Sequence, residues 1–296
     1  MPDPPPARPR EGPGPARGEK APGGPLFFGP AGIPAGARTS EEGIELVAKL
    51  GLNALEMEFV RGVGMKDEEA QRIGELAAKL GVRLSAHAPY YVNLNSRDRD
   101  IVKRSKEHVL ATMRTARELG ARIIVVHAGF YSEMPSEAAT ELMARAVMEC
   151  RERADREGCA SVALGLETMG KKGSWGTFAE IGQVCSRAGN VFPVVDFAHL
   201  HARCGGCLRT GEDFAHVLSE FEKFKAPFLH SHITGIEFGP SGERRHLDLA
   251  SGSPDFRLLA PLLRDRPYDI TLICESPLLE KDALLMKAFV ETAGKS

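Results

Sequence analysis

Eight side chains able to hold a divalent metal recur along the chain: His87, His127, Glu167, Asp196, His199, His232, His246 and Glu275. His87 to His127 and His127 to Glu167 are each 40 residues, Glu167 to Asp196 is 29, Asp196 to His232 is 36, and His232 to Glu275 is 43. One strand, one helix and two loops take about 30 to 40 residues. Single ligands arriving at that period imply a ring of parallel strands, each delivering one side chain to a shared mouth. Mixed imidazole and carboxylate donors suit Zn²⁺ best, with Mn²⁺ or Fe²⁺ as alternatives.

Most of these residues close short apolar runs. His87 follows Leu84-Ser85-Ala86, His127 follows Ile123-Ile124-Val125-Val126, Glu167 ends Ala163-Leu164-Gly165-Leu166, and Glu275 ends Leu272-Ile273-Cys274. A charged or imidazole group at the end of a buried strand is costly without a partner, and a divalent ion supplies one. One such histidine is more often a hydrogen-bonded core residue, but six strand ends in succession are not explained that way. His199 stands three residues after Asp196, close enough to serve the same or an adjacent ion. His230 precedes His232 by two and is read as a support for the ligands. His201, His108 and His216 are weaker candidates, the last two expected on solvated helix faces. Cys204-Gly-Gly-Cys207 is a lone CxxC, read first as a loop turn with incidental cysteines and second as a labile disulfide.

The elements that must position these residues are legible as an alternation. Strands are expected near 26–29, 53–59, 82–87, 122–127, 162–167, 192–196, 228–233 and 269–275, with helical patterns between them. Thr39 with Glu42 reads as a capping box. Val102, Val109, Met113 and Ala116 form one apolar stripe, and Gly51, Gly81 and Gly120 read as helix stops. Eight strands alternating with helices over about 270 residues give an α/β fold, a single-domain (β/α)₈ TIM barrel over 26–296. Residues 1–25 carry nine of the 20 prolines and almost no aliphatic side chain, so that segment is read as a disordered tail.

Net charge is −2, which gives no overall sign of a nucleic-acid partner, although a local basic rim would not show in the total. The six cysteines are scattered, and the N-terminus is polar and broken by proline. A cytoplasmic, reducing setting with no membrane segment and no organic cofactor is expected.

At these residues the chain resembles the endonuclease IV family of apurinic/apyrimidinic endonucleases, over roughly residues 26–290. The likeness rests on His-Ala-Pro-Tyr at 87–90 with Asn93-Leu94, His127-Ala-Gly, Glu167-Thr, Asp196-Phe-Ala-His199, His232, the Arg245-His246 segment and Glu275-Ser-Pro. The resemblance implies zinc ions in a barrel mouth. His87, His127 and Glu167 would hold the first. Glu167, as a bridge, would hold the second with Asp196, His232 and Glu275. His199 and His246 would hold a third with an aspartate two residues before His246. Here that position is Arg244, with Glu243 one residue off register, so two ions are expected to be held firmly and the third only weakly or together with substrate phosphate. Arg244 would then serve as a fixed cation for that phosphate.

The implied reaction is hydrolysis of the phosphodiester 5′ to an abasic site in double-stranded DNA, with Glu167, Glu275 and Asp196 as catalytic residues. Two ions sharing a carboxylate suit in-line displacement at phosphorus. Tyr90 and Arg61 match the places where the family sets side chains into the gap in the base stack. Two other readings stand beside this one. Sugar isomerases and epimerases of the xylose-isomerase-like superfamily share a one-metal quartet like Glu167, Asp196, His232 and Glu275, but would not need His87, His127 and His246. A non-catalytic metal-bound barrel that binds damaged DNA or a partner is the third.

Overall fold

The computed structural model describes residues 23–293. Residues 1–22 of the expected tail lie outside that range. Residues 23–25, expected in the tail, dock on the barrel instead: the Gly24 amide donates to the Arg266 carbonyl at 2.7 Å, and the Pro25 carbonyl accepts from the Ile270 amide at 3.0 Å.

In chain order the elements are β1 (Leu26–Pro30), α1 (Ser40–Lys49), β2 (Ala54–Glu58), α2 (Asp67–Leu80), β3 (Arg83–His87), α3 (Arg99–Glu118), β4 (Ile123–Val126), α4 (Ser136–Arg156), β5 (Ala163–Glu167) and α5 (Phe178–Cys185). There follow β6 (Val191–Asp196), α6 (Phe197–Arg203), α7 (Gly211–Glu222), β7 (Phe228–Ile233), β8 (Gly235–Gly239), β9 (Gly242–Leu247), α8 (Phe256–Leu263), β10 (Asp269–Cys274) and α9 (Glu280–Thr292). Eight parallel strands run in the order β1-β10-β7-β6-β5-β4-β3-β2, so the expected eight-stranded α/β barrel is the fold. The antiparallel hairpin β8–β9 is an addition between β7 and α8 that the strand–helix alternation did not signal.

The barrel closes where β1 meets β2. The Asn53 side chain stands in for a ladder rung there, accepting from the Phe28 amide at 2.7 Å and donating to the Leu26 carbonyl at 3.0 Å. Gly29 is required at that seam, since a Cβ on it would lie 1.7 Å from the Ala54 carbonyl oxygen. Ala31 then bridges to Glu56, which fixes the height at which β2 presents its inward side chains.

The helices follow the expected stripes. Val109, Met113 and Ala116 of α3 are buried, and Gly51, Gly81 and Gly120 take φ of 75°, 69° and 65°, the left-handed values that favour glycine at a helix end. At α1 the Thr39 hydroxyl accepts from the Glu42 amide, but the Glu42 carboxylate accepts from the Arg38 amide, so only half of the capping box forms. Among the described residues no helix is long and apolar enough to cross a membrane.

The barrel interior is divided. On the β4–β6 side it is filled by Ile123, Val125, Ala163 and Val194. The floor is ionic: Asp269 accepts from Arg83 at 3.2 Å and Arg122 at 2.9 Å, and the two guanidinium groups cover the Phe27 and Phe228 rings. Because the Asn53 amide makes the seam bonds, Asn53→Ala should destabilise the barrel by about 2 kcal/mol, two neutral hydrogen bonds with their partners left unmet. Urea unfolding monitored by circular dichroism measures this, and a loss under about 0.5 kcal/mol would show that the seam holds without them.

Candidate metal centre

The inward positions of the strands converge at their C-terminal ends. Register places Glu58 beside His87 and Asp196 beside His232 on neighbouring strands. Glu167 ends β5 in the middle of the group and is fully enclosed. Four imidazoles surround it. Its Oε2 faces His127 Nε2 at 2.8 Å and His87 Nε2 at 3.2 Å, while its Oε1 faces His199 Nδ1 at 3.0 Å and His232 Nδ1 at 3.4 Å. His232 Nδ1 also lies 3.3 Å from Glu275 Oε1. The two oxygens of one carboxylate are therefore shared between two ligand sets: His87, His127 and Glu167, and Glu167, Asp196, His232 and Glu275.

These residues fit divalent ions on two grounds. Several inward atoms are buried without a hydrogen-bond partner, among them His127 Nε2, Glu167 Oε1, Asp196 Oδ2, His232 Nδ1 and Glu275 Oε2. They sit close to one another yet are not aligned as donor and acceptor, the arrangement expected of atoms that share an ion. Donors of a tetrahedral zinc with bonds of about 2.0–2.1 Å stand about 3.3 Å apart, which several of the separations above approach.

Backbone carbonyls fix the ring orientations. A carbonyl only accepts, so His87 Nδ1 donates to the Ala88 carbonyl at 2.7 Å, His199 Nδ1 to the Thr168 carbonyl at 3.0 Å, and His246 Nδ1 to the Glu275 carbonyl at 3.2 Å. In each ring Nε2 is then the nitrogen left to give a lone pair to an ion once it is free of a proton.

Charge is unevenly held without ions. Burial opposes protonation of His87, yet the Glu58, Glu167 and Glu56 carboxylates push its pKa up to about 10. Burial would raise Glu167, but the imidazoles of His127 and His232 hold it well below the usual carboxylate range. Burial, joined by the Glu167 and Asp196 charges, drives Glu275 well above that range, the opposing pull of His232 notwithstanding.

The hairpin changes the expectation for the third ligand set. A bulge between Glu237 and Phe238 sets Phe238 against Glu243. Glu243 turns inward, with Oε2 3.5 Å from His199 Nε2 and Oε1 3.9 Å from His246 Nε2. Arg244 turns outward, where it approaches Glu237 at 3.5 Å and stays largely exposed. Glu243, one position before Arg244, thus brings a carboxylate near His199 and His246, while the Arg244 guanidinium, expected as a fixed cation for phosphate, lies beside Glu237.

Tyr90 stands at the rim. Its hydroxyl donates to Glu58 Oε2 at 2.5 Å, its ring lies 4.7 Å from that of His87 and 5.1 Å from that of His127, and it is 40% exposed. Arg61 is exposed on the loop after β2. A cavity of about 260 Å³ opens at the mouth, lined by Tyr90, His127, Phe130, Lys171, His199 and Glu243 among others.

Sequence reasoning missed Glu56 and Glu58. Both lie on β2, where Ala-Leu-Glu-Met-Glu alternates, so two carboxylates two residues apart share the inward face. That alternation within an apolar strand was the available signal. His230 lies buried behind the ligands, as expected of a support. His201 is buried too, accepting from the Leu208 amide on Nδ1 and meeting the Ser253 hydroxyl on Nε2. His108 is half-buried against the Tyr91 ring rather than solvated, and His216 is exposed. Cys204 and Cys207 are joined by a disulfide across a turn in which Gly205 and Gly206 take positive φ, so the pair is not an incidental one.

Residues 44–289 match the family model described as xylose isomerase-like TIM barrel. The chain belongs to the xylose isomerase-like TIM barrel family. The uncharacterized protein MJ0133 of Methanocaldococcus jannaschii is 34% identical over 271 residues, covering 90% of this chain and 97% of that protein. Among solved structures of this barrel type, the 3-keto-D-glucoside 4-epimerase YcjR from E. coli superposes with a TM-score of 0.68 at 14% identity, covering 91% of this chain and 99% of the other. Endonuclease IV from Thermus thermophilus superposes with a TM-score of 0.65 at 21% identity, covering 90% and 99%. At these identities both likenesses establish the fold alone.

Since His87 must lose a proton before Nε2 can take an ion, uptake of zinc should release protons, and affinity should fall as pH is lowered. The sign follows from the raised pKa of the folded imidazole: below about pH 10 the ring is mostly protonated, and lowering the pH further raises the proton concentration with which the ion must compete. Zinc titration at about pH 6 and about pH 8 against a chromophoric chelator measures this. Equal affinities would place the ion away from His87.

Proposed function

We propose that this protein is a metal-dependent phosphodiesterase of the endonuclease IV kind, hydrolysing the phosphodiester 5′ to an abasic site in double-stranded DNA. The observation that carries the reading is Glu167, whose two oxygens face two different ligand sets. A one-ion reaction has no use for His87 and His127 on the far side of that carboxylate. Divalent ions held in both sets would activate a water and polarise the phosphoryl oxygens of the scissile diester.

The residues supply the rest. Glu167 holds the two sets in register, and Asp196 and Glu275 complete the second, which makes these three the catalytic group. His199, His246 and Glu243 offer the third set, so we revise the expected ion count from two toward three. Around the mouth, Val60, Tyr90, Tyr91, Phe130 and Leu278 are large apolar side chains left exposed on loops that follow different strands. Rigid, partly apolar side chains at such a rim suit entry into the gap that a missing base leaves in a stack. Tyr90 is the best placed, because the Glu58 bond and the imidazole faces hold its ring upright. Arg61 is proposed as a lesser contact.

A one-metal sugar isomerase or epimerase is the second reading. It is favoured by the quartet Glu167, Asp196, His232 and Glu275, which suffices for one ion, and by a mouth cavity of about 260 Å³, of the order of a single sugar.

Three measurements test these readings. Purified protein given a duplex with a tetrahydrofuran residue should cut 5′ to it, and Glu167→Gln should reduce cutting by at least about 10³-fold, of the order of removing a group that acts only in the transition state. Near-wild-type cutting by a folded Glu167→Gln protein would end the bridging role, and absence of cutting alongside epimerisation of a ketose would favour the second reading. Tyr90→Ala should weaken binding to the lesion duplex about 10-fold more than binding to intact duplex, of the order of one stacking contact; equal losses would make Tyr90 a packing residue only. Zinc analysis after dialysis should approach three ions per chain, and Glu243→Ala should lower it by one. A count of two that Glu243→Ala leaves unchanged would leave His199 and His246 without an ion.

A further inference from the structure

Glu56 lies inside the barrel beneath the ligand sets, fully buried on β2. Its Oε1 is 2.9 Å from His232 Nε2, and its Oε2 is 2.9 Å from His230 Nε2 and accepts from the Ser85 hydroxyl at 2.7 Å. His230 and His232 are inward neighbours on β7, with β10 and β1 between that strand and β2. One carboxylate therefore spans the barrel interior and meets two imidazoles and a hydroxyl.

We propose that Glu56 is a positioning residue for the metal centre, holding His232 in the one tautomer and orientation that can take an ion. When an ion takes the lone pair of Nδ1, the ring proton stays on Nε2, 2.9 Å from the Glu56 carboxylate, which only accepts. His232 then has Nε2–H toward Glu56 and the lone pair on Nδ1, toward Glu167 Oε1 at 3.4 Å and Glu275 Oε1 at 3.3 Å. His87, His199 and His246 have their second nitrogen fixed by a backbone carbonyl; at His232 the neighbour of Nε2 is the Glu56 carboxylate, a charged acceptor in that part. An anionic partner also makes the ring a stronger donor to a cation than a carbonyl does. His230 and Ser85 act on Glu56 in turn, since bonds to Oε2 keep the carboxylate from rotating away from His232. The arrangement also explains why β2, which contributes none of the eight ligands read from the sequence, puts a carboxylate into the interior.

The role rests on ions being held at His232 and is the same for either proposed reaction. Its test is therefore metal binding rather than turnover. Glu56→Gln keeps the shape but offers one acceptor and one donor group, and cannot accept from both rings. Competition against a chromophoric chelator should show zinc affinity at the Asp196–His232–Glu275 set reduced about 10- to 100-fold, with zinc per chain lower by one. Ser85→Ala, which leaves the carboxylate in place, should show a smaller loss in the same direction. In wild-type protein labelled with ¹⁵N-histidine, the His232 resonances should show a proton on Nε2 before and after zinc is added, with Nδ1 shifting on uptake. That measurement needs no variant to fold. Zinc affinity of Glu56→Gln within about two-fold of wild type, or zinc bound through Nε2 of His232, would overturn the proposal. Wild-type protein that takes up no zinc or manganese would instead remove the metal reading, and this role with it.

Discussion

Burying Glu167 is the constraint on which the mouth of this barrel depends. A carboxylate taken fully out of water costs several kcal/mol unless compensated, and here the compensation is four imidazoles, two at each oxygen. Each of those rings comes from a different strand end or from the helix after one. The barrel is what brings them within about 3 Å of one residue. An open sheet would set the same side chains along a line, and no single carboxylate could touch all four. The seam at Asn53 and Gly29 closes the ring, and so it belongs to the site's architecture as much as to the fold's stability.

The interior below follows from the same demand. The β4–β6 side is filled with Ile123, Val125, Ala163 and Val194, while the β2–β3–β7–β10 side carries Glu56, Ser85, His230 and, at the floor, Arg83 and Asp269. A polar half is expensive to bury, and in this one most groups meet partners: Glu56 Oε2 with the His230 ring and the Ser85 hydroxyl, and Asp269 with two guanidinium groups. Such a network specifies one arrangement of side chains more narrowly than an apolar filling of the same volume would. That narrowness is useful under a site whose ligand atoms must keep separations near about 3.3 Å.

The fold was legible because its signal is repeated. Eight apolar runs, each followed by a helical stripe, fix the barrel even when single boundaries move by a residue or two, and seven of the eight named ligand candidates end a barrel strand or lie within the next helical turn. What stayed hidden has local physical causes. The hairpin carrying His246 is short and polar, with Glu-Arg-Arg-His on its outer strand, and nothing in that pattern says which residue faces inward. The bulge at Glu237 decides it, turning Glu243 toward His199 and Arg244 toward solvent. A bulge shifts the facing of every residue beyond it, so the carboxylate that this strand brings near His199 and His246 is Glu243, one position before Arg244. Glu56 and Glu58 were hidden differently, within a strand whose ends drew attention to other residues.

Charge bears on which substrate such a mouth can receive. Six carboxylates face or underlie it: Glu56, Glu58, Glu167, Asp196, Glu243 and Glu275. With neutral imidazoles their formal sum is −6. Three divalent ions bring that to zero, and a phosphodiester anion can then approach at no electrostatic penalty. With a single ion a formal −4 remains, to be offset by protons such as those favoured at Glu275 and His87, and whatever is not offset would repel a phosphate in so poorly solvated a site. The same residual charge would matter much less to an uncharged sugar, whose hydroxyls could donate to the spare oxygens. The number of ions and the charge of the substrate are therefore one question here, and the inward turn of Glu243 beside His199 and His246 weighs on the side of the charged substrate.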